Sequence, residues 1–335
     1  MPSVTKSKED VKQLLRSLDE AIAAWKPLLT VEPQDEPSLK SSQVTNPLEE
    51  LSKLGQLIHA HTTKVGIVYR PPISPENFHA CFVEVESVTR SLVMLVSLCS
   101  QLIAEKKKYS TLYIQKVLDE IHTLLGTFSV LSNELSGLLD IQDGDADNTR
   151  LVSVGKIWEI CDNLSSLVRL GASGVLRAKF KESVTLLADG LEEYEEWLES
   201  PSADNGNFFG ESEDEDETEQ TEVDAVLVSY GSQWVQKLKL VKLLFTSMDK
   251  NIGKTQHTES ISSKLDRMNS ERLEIGLLVD EFISAIIYDL DQTAAQKYAS
   301  QLTKACMSLT EVVSQLEPKK VKWFDTWKTK FLENI

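Results

Sequence analysis

Residues 200–224 read SPSADNGNFFGESEDEDETEQTEVD, with ten acidic side chains and neither Lys nor Arg. Carboxylates at that density repel one another, and almost nothing between them can be buried to offset the entropy of ordering. The stretch therefore reads as a solvated loop. Helical periodicity resumes at once on both sides of it, which makes it an insertion between two helical bodies. The fold class expected is all-α: two antiparallel helical bundles joined by an acidic disordered linker. Residues 1–46 are then an N-terminal helix and tether, 47–199 the first bundle, 200–224 the linker and 225–335 the second bundle.

Working outward, apolar residues recur at helical spacing everywhere else. Beyond the acidic stretch, Tyr230, Trp234, Leu238, Val241, Phe245 and Met248 mark a helix ending near Asn251. Leu273, Leu277, Phe282, Ile286 and Leu290 mark another, and Tyr298, Leu302, Cys306, Leu309, Val313 and Leu316 a third that stops before Pro318. Upstream, a helix around 152–170 bears Trp158 and Cys161, and after GASG at 171–174 a further one runs to Leu198. Ser110 caps a helix with Ile114, Val117, Ile121, Leu125 and Phe128 on one side. Before it, Ser74-Pro75-Glu76 opens a long helix with Phe78, Phe82, Val85, Leu92, Val96, Cys99 and Ile103 in one stripe. Asn46-Pro47-Leu48-Glu49 combines an N-cap, a first-turn proline and a third-position Glu. A first helix from about Lys8 to Lys26 ends at Pro27, and the aperiodic VEPQDEPSLKSSQVT that follows reads as a tether. No strand-length alternation and no fixed-period repeat is present.

A chain of 335 residues suits two bodies, each with its own core. The formal net charge is −17, of which the acidic stretch supplies −10. With no evident basic face, direct nucleic-acid binding is not expected, and an acidic protein is matched to basic protein surfaces instead. Cys81, Cys99, Cys161 and Cys306 are widely spaced in apolar stripes and read as buried reduced thiols of a cytosolic or nuclear protein. The N-terminus lacks the apolar core of a secretory signal, and the longest apolar run, Ser91–Ile103, is interrupted by Ser97, Ser100 and Gln101. A membrane span needs about 20 predominantly apolar residues, so none is expected.

The constellations that could carry chemistry fail on geometry. Glu76-x-x-His79 and Asp119-x-x-His122 imitate the paired motifs of di-iron bundles. Their helices turn near Tyr109, so the two histidines would lie roughly 25 Å apart at about 1.5 Å per residue. DGDAD at 143–147 starts like a calcium loop, but Asn148 stands where Gly is needed and Val154 where a bidentate Glu is needed. His59 and His61, two apart on a helix, face different ways. No nucleophile motif, P-loop or dinucleotide fingerprint occurs. The reading is a non-enzymatic protein with no metal, no cofactor and no small-molecule site.

Two features remain. Ser212 precedes Glu213, Asp214 and Glu215, and Thr221 has Asp224 three residues on, so both are candidate acidophilic phosphorylation sites. The C-terminal KKVKWFDTWKTKFLENI sets Trp323, Trp327 and Phe331 four apart, with Phe324 beside them and five lysines around them. Such a basic aromatic helix can bind a partner groove or a membrane surface, or it can pack as the last helix of its bundle. Trp323, Phe324, Trp327 and Phe331 are accordingly the candidate partner-binding residues.

Three stretches together resemble the cyclin-D-binding protein family (the cyclin-D-interacting GCIP/HHM-like proteins). They are TTKVGIVY at 62–69 running into PPISPENF at 71–78, KIWEIC at 156–161, and the acidic insertion between a Glu-rich helix with Tyr194 and a helix starting near Val226. The resemblance implies a non-enzymatic regulator that binds D-type cyclins and helix-loop-helix transcription factors. It also implies restraint of cell-cycle progression and transcription, in both cytoplasm and nucleus. Analogy with vinculin-like bundles suggests a cytoskeletal or membrane-proximal adaptor as the alternative. The acidic stretch alone would suggest a chaperone for basic proteins.

Overall fold

The computed structural model describes residues 6–32, 39–141, 148–202 and 223–333. Most of these residues are helical and, among them, no strand occurs. The helices are α1 (Lys8–Trp25), α2 (Pro47–Val68), α3 (Phe78–Ala104), the single turn α4 (Lys106–Tyr109), α5 (Thr111–Leu138), α6 (Thr149–Glu199), α7 (Ala225–Asn251), α8 (Glu259–Ile287), α9 (Gln292–Leu316) and α10 (Val321–Glu333).

Local chemistry sets the helix starts. Ser7 and Asp10 form a reciprocal capping box at α1, and the two bonds from Ser7 hold the Asp10 carboxyl below its ordinary range. Asn46 accepts from the Glu49 amide ahead of Pro47, Asp224 from Val226, and Asp291 from Thr293 and Ala294. Ser110 caps α5 through Tyr113 while itself holding a φ of 65°, a left-handed turn that lets the chain reverse directly after α4.

The chain forms two compact units, Met1–Ala172 with His257–Glu259, and Ser173–Gln256 with Ser260–Ile335. The divide therefore falls beside Gly171 and not at 200–224, where the acidic charge suggested it. Gly171, at φ 64° and ψ −178°, breaks α6 into two helical pieces; a side chain would be strained at that φ. The second piece, though it precedes the acidic stretch, belongs to the same unit as α7–α10. Residues 1–46 are likewise no separate piece, since α1 packs on both α3 and α5.

In unit 1, α3 lies against α1 and α2, and Val85, Leu92, Leu95, Cys99 and Leu102 are buried along it. The window within 75–104 has a mean hydropathy of 1.5, so this one helix is long and apolar enough to cross a membrane, although its apolar run had seemed too short. Half of that window is buried inside the protein, which accounts for its apolarity by packing. Two of the three polar side chains that interrupt the run, Ser100 and Gln101, bond to the tether, and Ser97 does so through its backbone carbonyl. Ser42 donates its amide to the Ser97 carbonyl at 3.0 Å, Ser100 donates to the Leu39 carbonyl at 2.9 Å, and buried Gln101 brackets Val44 with both ends of its amide. The aperiodic tether is thus fastened over 39–44 by a backbone hydrogen bond to Ser97 and by side-chain hydrogen bonds of Ser100 and Gln101.

In unit 2, Phe282 is the centre of an aromatic cluster with Trp234 at 5.0 Å and Tyr194 at 6.0 Å. The Tyr194 hydroxyl donates to the Gly231 carbonyl at 2.9 Å, and a methyl group on Gly231 would lie 2.9 Å from that hydroxyl. Of the expected stripe of α8, Phe282 and Ile286 are buried and the other three residues are not on the buried face. Leu273 and Leu277 are 56% and 60% exposed, and Leu290 lies past the helix in a turn with φ 49°. The buried face is Ile275, Leu278, Phe282, Ile283 and Ile286. All four cysteines are buried and free; burial pushes the Cys81 thiol up to about 11 and Cys99 and Cys161 up to about 12.

Candidate functional site

Pro318 ends α9, a short 3-10 turn carries Lys319 and Lys320, and α10 begins at Val321. At 3.6 residues per turn Phe324, Trp327 and Phe331 share one face. That face is seated in unit 2 against α7 and α9, and all three rings are buried. The Trp327 indole donates to the Leu240 carbonyl at 2.9 Å and stacks on Phe331 at 4.7 Å. Trp323 is half-buried on the flank, edge-on to Phe324 at 5.0 Å. Of the four aromatic candidates, three are thus core while α10 is seated, and Trp323 alone is partly open to a partner.

Beneath α10 lies Lys237, a residue the sequence reading passed over. It is 2% exposed. Its ammonium sits 4.6 Å from the Trp234 ring centre and 5.9 Å from that of Phe331, where the ring quadrupoles replace part of its lost hydration. Burial pulls its pKa below the ordinary lysine value. The sequence signal is positional: Lys237 directly precedes stripe residue Leu238 on a helix whose buried face includes Trp234 and Val241.

The outer side of the same helix pair is concave. Leu240 and Leu243 of α7, Trp323, Thr326 and Trp327 of α10, and Lys319, Lys320, Lys322 and Lys330 line a groove of about 450 Å³. Lys328 forms an ion pair with Asp325 at 3.6 Å. Among the described residues no carboxylate lies within ion-pairing distance of Lys319, Lys320 or Lys322. The same unit carries a concavity of opposite character, about 540 Å³, where Glu192, Glu195, Glu196 and Glu199 of α6 meet Lys239 and Lys242 of α7. There four carboxylates outnumber two ammoniums, and Lys239 is bonded to Glu195 at 2.5 Å.

The remaining sequence candidates are scattered. Ser212, Thr221 and the calcium-like DGDAD lie outside the described residues. His79 is exposed, whereas His122 is 2.8 Å from the Leu29 carbonyl. His59 stacks on Trp158 at 5.2 Å, and His61 faces Glu84 at 3.7 Å. Among the described residues no three His, Cys, Asp or Glu side chains are grouped to hold a metal ion.

The sequence profile of the family described as Grap2 and cyclin-D-interacting, N-terminal, matches residues 50–200. Across nearly its whole length the chain is also similar to the uncharacterized protein YLR287C of Saccharomyces cerevisiae, 30% identical over 352 aligned positions that cover 97% of each chain. The chain belongs to the Grap2 and cyclin-D-interacting family. A second family relative, the uncharacterized protein C22E12.18 of Schizosaccharomyces pombe, is 24% identical over 332 positions, 95% of this chain and 94% of that one. The family match spans α2 through α6. The lysine-lined groove of α7 and α10 lies wholly outside the matched residues.

Proposed function

We propose that the chain is a non-enzymatic protein-interaction regulator that binds D-type cyclins or helix-loop-helix transcription factors and restrains cell-cycle progression and transcription. The observation that carries this reading is the family match over 50–200, whose description names cyclin D. The packing of both units supports it. Among the described residues, side chains that would do acid–base chemistry are dispersed, and the buried Tyr69, Tyr113 and Tyr194 have their pKa raised chiefly by desolvation, as structural groups do. A regulator of this kind works in cytoplasm and nucleus, and phosphorylation of Ser212 or Thr221 would deepen the charge of the acidic stretch.

The test is direct titration of the purified full chain with a purified D-type cyclin and, separately, a helix-loop-helix domain. Saturable binding to either supports the reading, and a variant with Leu151 and Val152, two exposed apolar residues of the matched segment, changed to Ser probes whether that segment carries the contact. Absence of binding to both, together with cortical localisation in cells, would move the assignment to the adaptor class.

A further inference from the structure

We propose that the groove between α7 and α10 is a docking surface for a carboxylate-rich polypeptide segment of a partner protein. This goes beyond the cyclin reading, because the groove lies outside the residues matched to the family. Four observations converge. The whole chain is strongly acidic at −17, yet four lysines line this one concavity. Lys319, Lys320 and Lys322 are exposed and have no carboxylate partner among the described residues, although such partners are abundant elsewhere on the surface. Local excess of one sign within a concave wall focuses the field and favours a ligand of the opposite sign. The floor is apolar, with Leu243 49% exposed beside half-buried Trp323, so a few apolar side chains interspersed with the acids would be accommodated.

The shape selects a peptide over a bilayer. A membrane-bound helix inserts its apolar face between lipids, but here Phe324, Trp327 and Phe331 are turned into the core and Trp327 is fixed by its bond to Leu240. What remains outside is a slot about 450 Å³ in volume, the size of a short stretch of side chains. A carboxylate on an extended or helical segment can meet each ammonium, since lysine heads on flexible stems adapt to either.

The experiment uses fluorescence anisotropy with a fluorescein-labelled Glu/Leu/Ser peptide of about 16 residues, roughly 50 Å when extended. The chain's own residues 203–222 carry nine acids and could compete, so the peptide is titrated into the full chain and into a full-length variant with each Asp→Asn and Glu→Gln across 203–222. Binding to the neutralised variant is expected, weakening several-fold between 0.05 and 0.3 M salt as screening increases. Combining Lys319→Glu, Lys320→Glu and Lys322→Glu in that variant should weaken it about tenfold or more, and Trp323→Ala should weaken it to a lesser degree. These lysines are exposed, so the helix should remain seated, and circular dichroism checks it. The control places the same charge change elsewhere on unit 2, as Lys181→Glu, Lys250→Glu and Lys297→Glu, and should cost less than about twofold. Equal loss in the control and groove variants, no binding by the neutralised variant, or binding to phosphatidylserine vesicles in place of the peptide would each overturn the proposal. Cyclin titration is scored separately, and either result can fail without the other.

Discussion

Residues 39–45 in unit 1 and α10 in unit 2 both lie along the flank of a helical core, and they are held there by opposite means. The first has no apolar periodicity and is fastened by Gln101. That one side chain accepts from Ser42 Oγ at 2.6 Å and the Val44 amide at 3.0 Å, and donates to the Val44 carbonyl at 2.9 Å and Glu105 at 2.8 Å. All four bonding positions of the amide are used. The second segment is amphipathic, held by three buried rings and one indole hydrogen bond, and it covers an ammonium that has no carboxylate partner among the described residues. A polar clamp that is fully satisfied and an apolar seal laid over a charge respond differently when cut. Removing the clamp strands its partners, removing a ring opens a cavity, and removing the buried charge relieves a cost.

The largest effect should come from the apolar side of this contrast. Phe331→Ala deletes a fully buried ring against Trp327 and Lys237 and is expected to cost about 3–5 kcal/mol. Guanidinium unfolding followed by tryptophan fluorescence would measure it; a loss below roughly 1 kcal/mol would mean that α10 is not part of the core. The polar clamp comes next. Gln101→Ala leaves the Ser42 hydroxyl and both Val44 backbone groups seeking new partners, at about 2–3 kcal/mol if water cannot reach them all. Hydrogen exchange should show the Val44 amide losing protection while amides along α3 keep theirs. Unchanged exchange at Val44 would show that the clamp is dispensable.

The all-α class and most helix boundaries were legible because caps and periodicity are local. Asn46 and Ser110 each mark a start with their own side chain. The unit boundary was not legible, for a physical reason. Charge density at 200–224 reports solvation, which does not say which helices share a core, whereas the divide falls beside the one non-helical residue inside α6, Gly171. The second half of the α8 face, Phe282 and Ile286, was legible, whereas the first half was not, because Leu273 and Leu277 share helical spacing with the apolar Ile275 and Leu278 that are buried instead. The polar residues of α3 looked like interruptions since their partners lie some 55–60 positions upstream, at 39–44. For the candidate site, the aromatic face and the lysines were visible in the C-terminal sequence. Their division into a buried seal and an outward groove was not, because the other wall is supplied by Leu240 and Leu243 of α7.

The smallest expected effect has the opposite sign. Lys237→Met keeps a long unbranched side chain beneath α10 and removes a desolvated charge whose compensation among the described contacts is two ring faces. Replacing a buried charge with an apolar group of similar volume is often neutral or stabilising, and here a gain of about 1 kcal/mol is expected, a shift of a few degrees in Tm. The pH dependence identifies the cause. The folded pKa of Lys237 is depressed below 10.5, so near that folded value the unfolded chain binds more protons than the folded one. Stability therefore rises with pH from the folded pKa up to the unfolded one. Below both values the penalty of burying the ammonium is felt in full. The gain from Lys237→Met should accordingly be greatest at neutral pH and shrink as pH approaches 10. Taking the difference between the two proteins cancels the titration of the remaining lysines and tyrosines. A difference that stays constant with pH would assign the stabilisation to packing. A loss of stability at every pH would show that the ring faces compensate the buried ammonium in full, so that the charge is part of what seats α10.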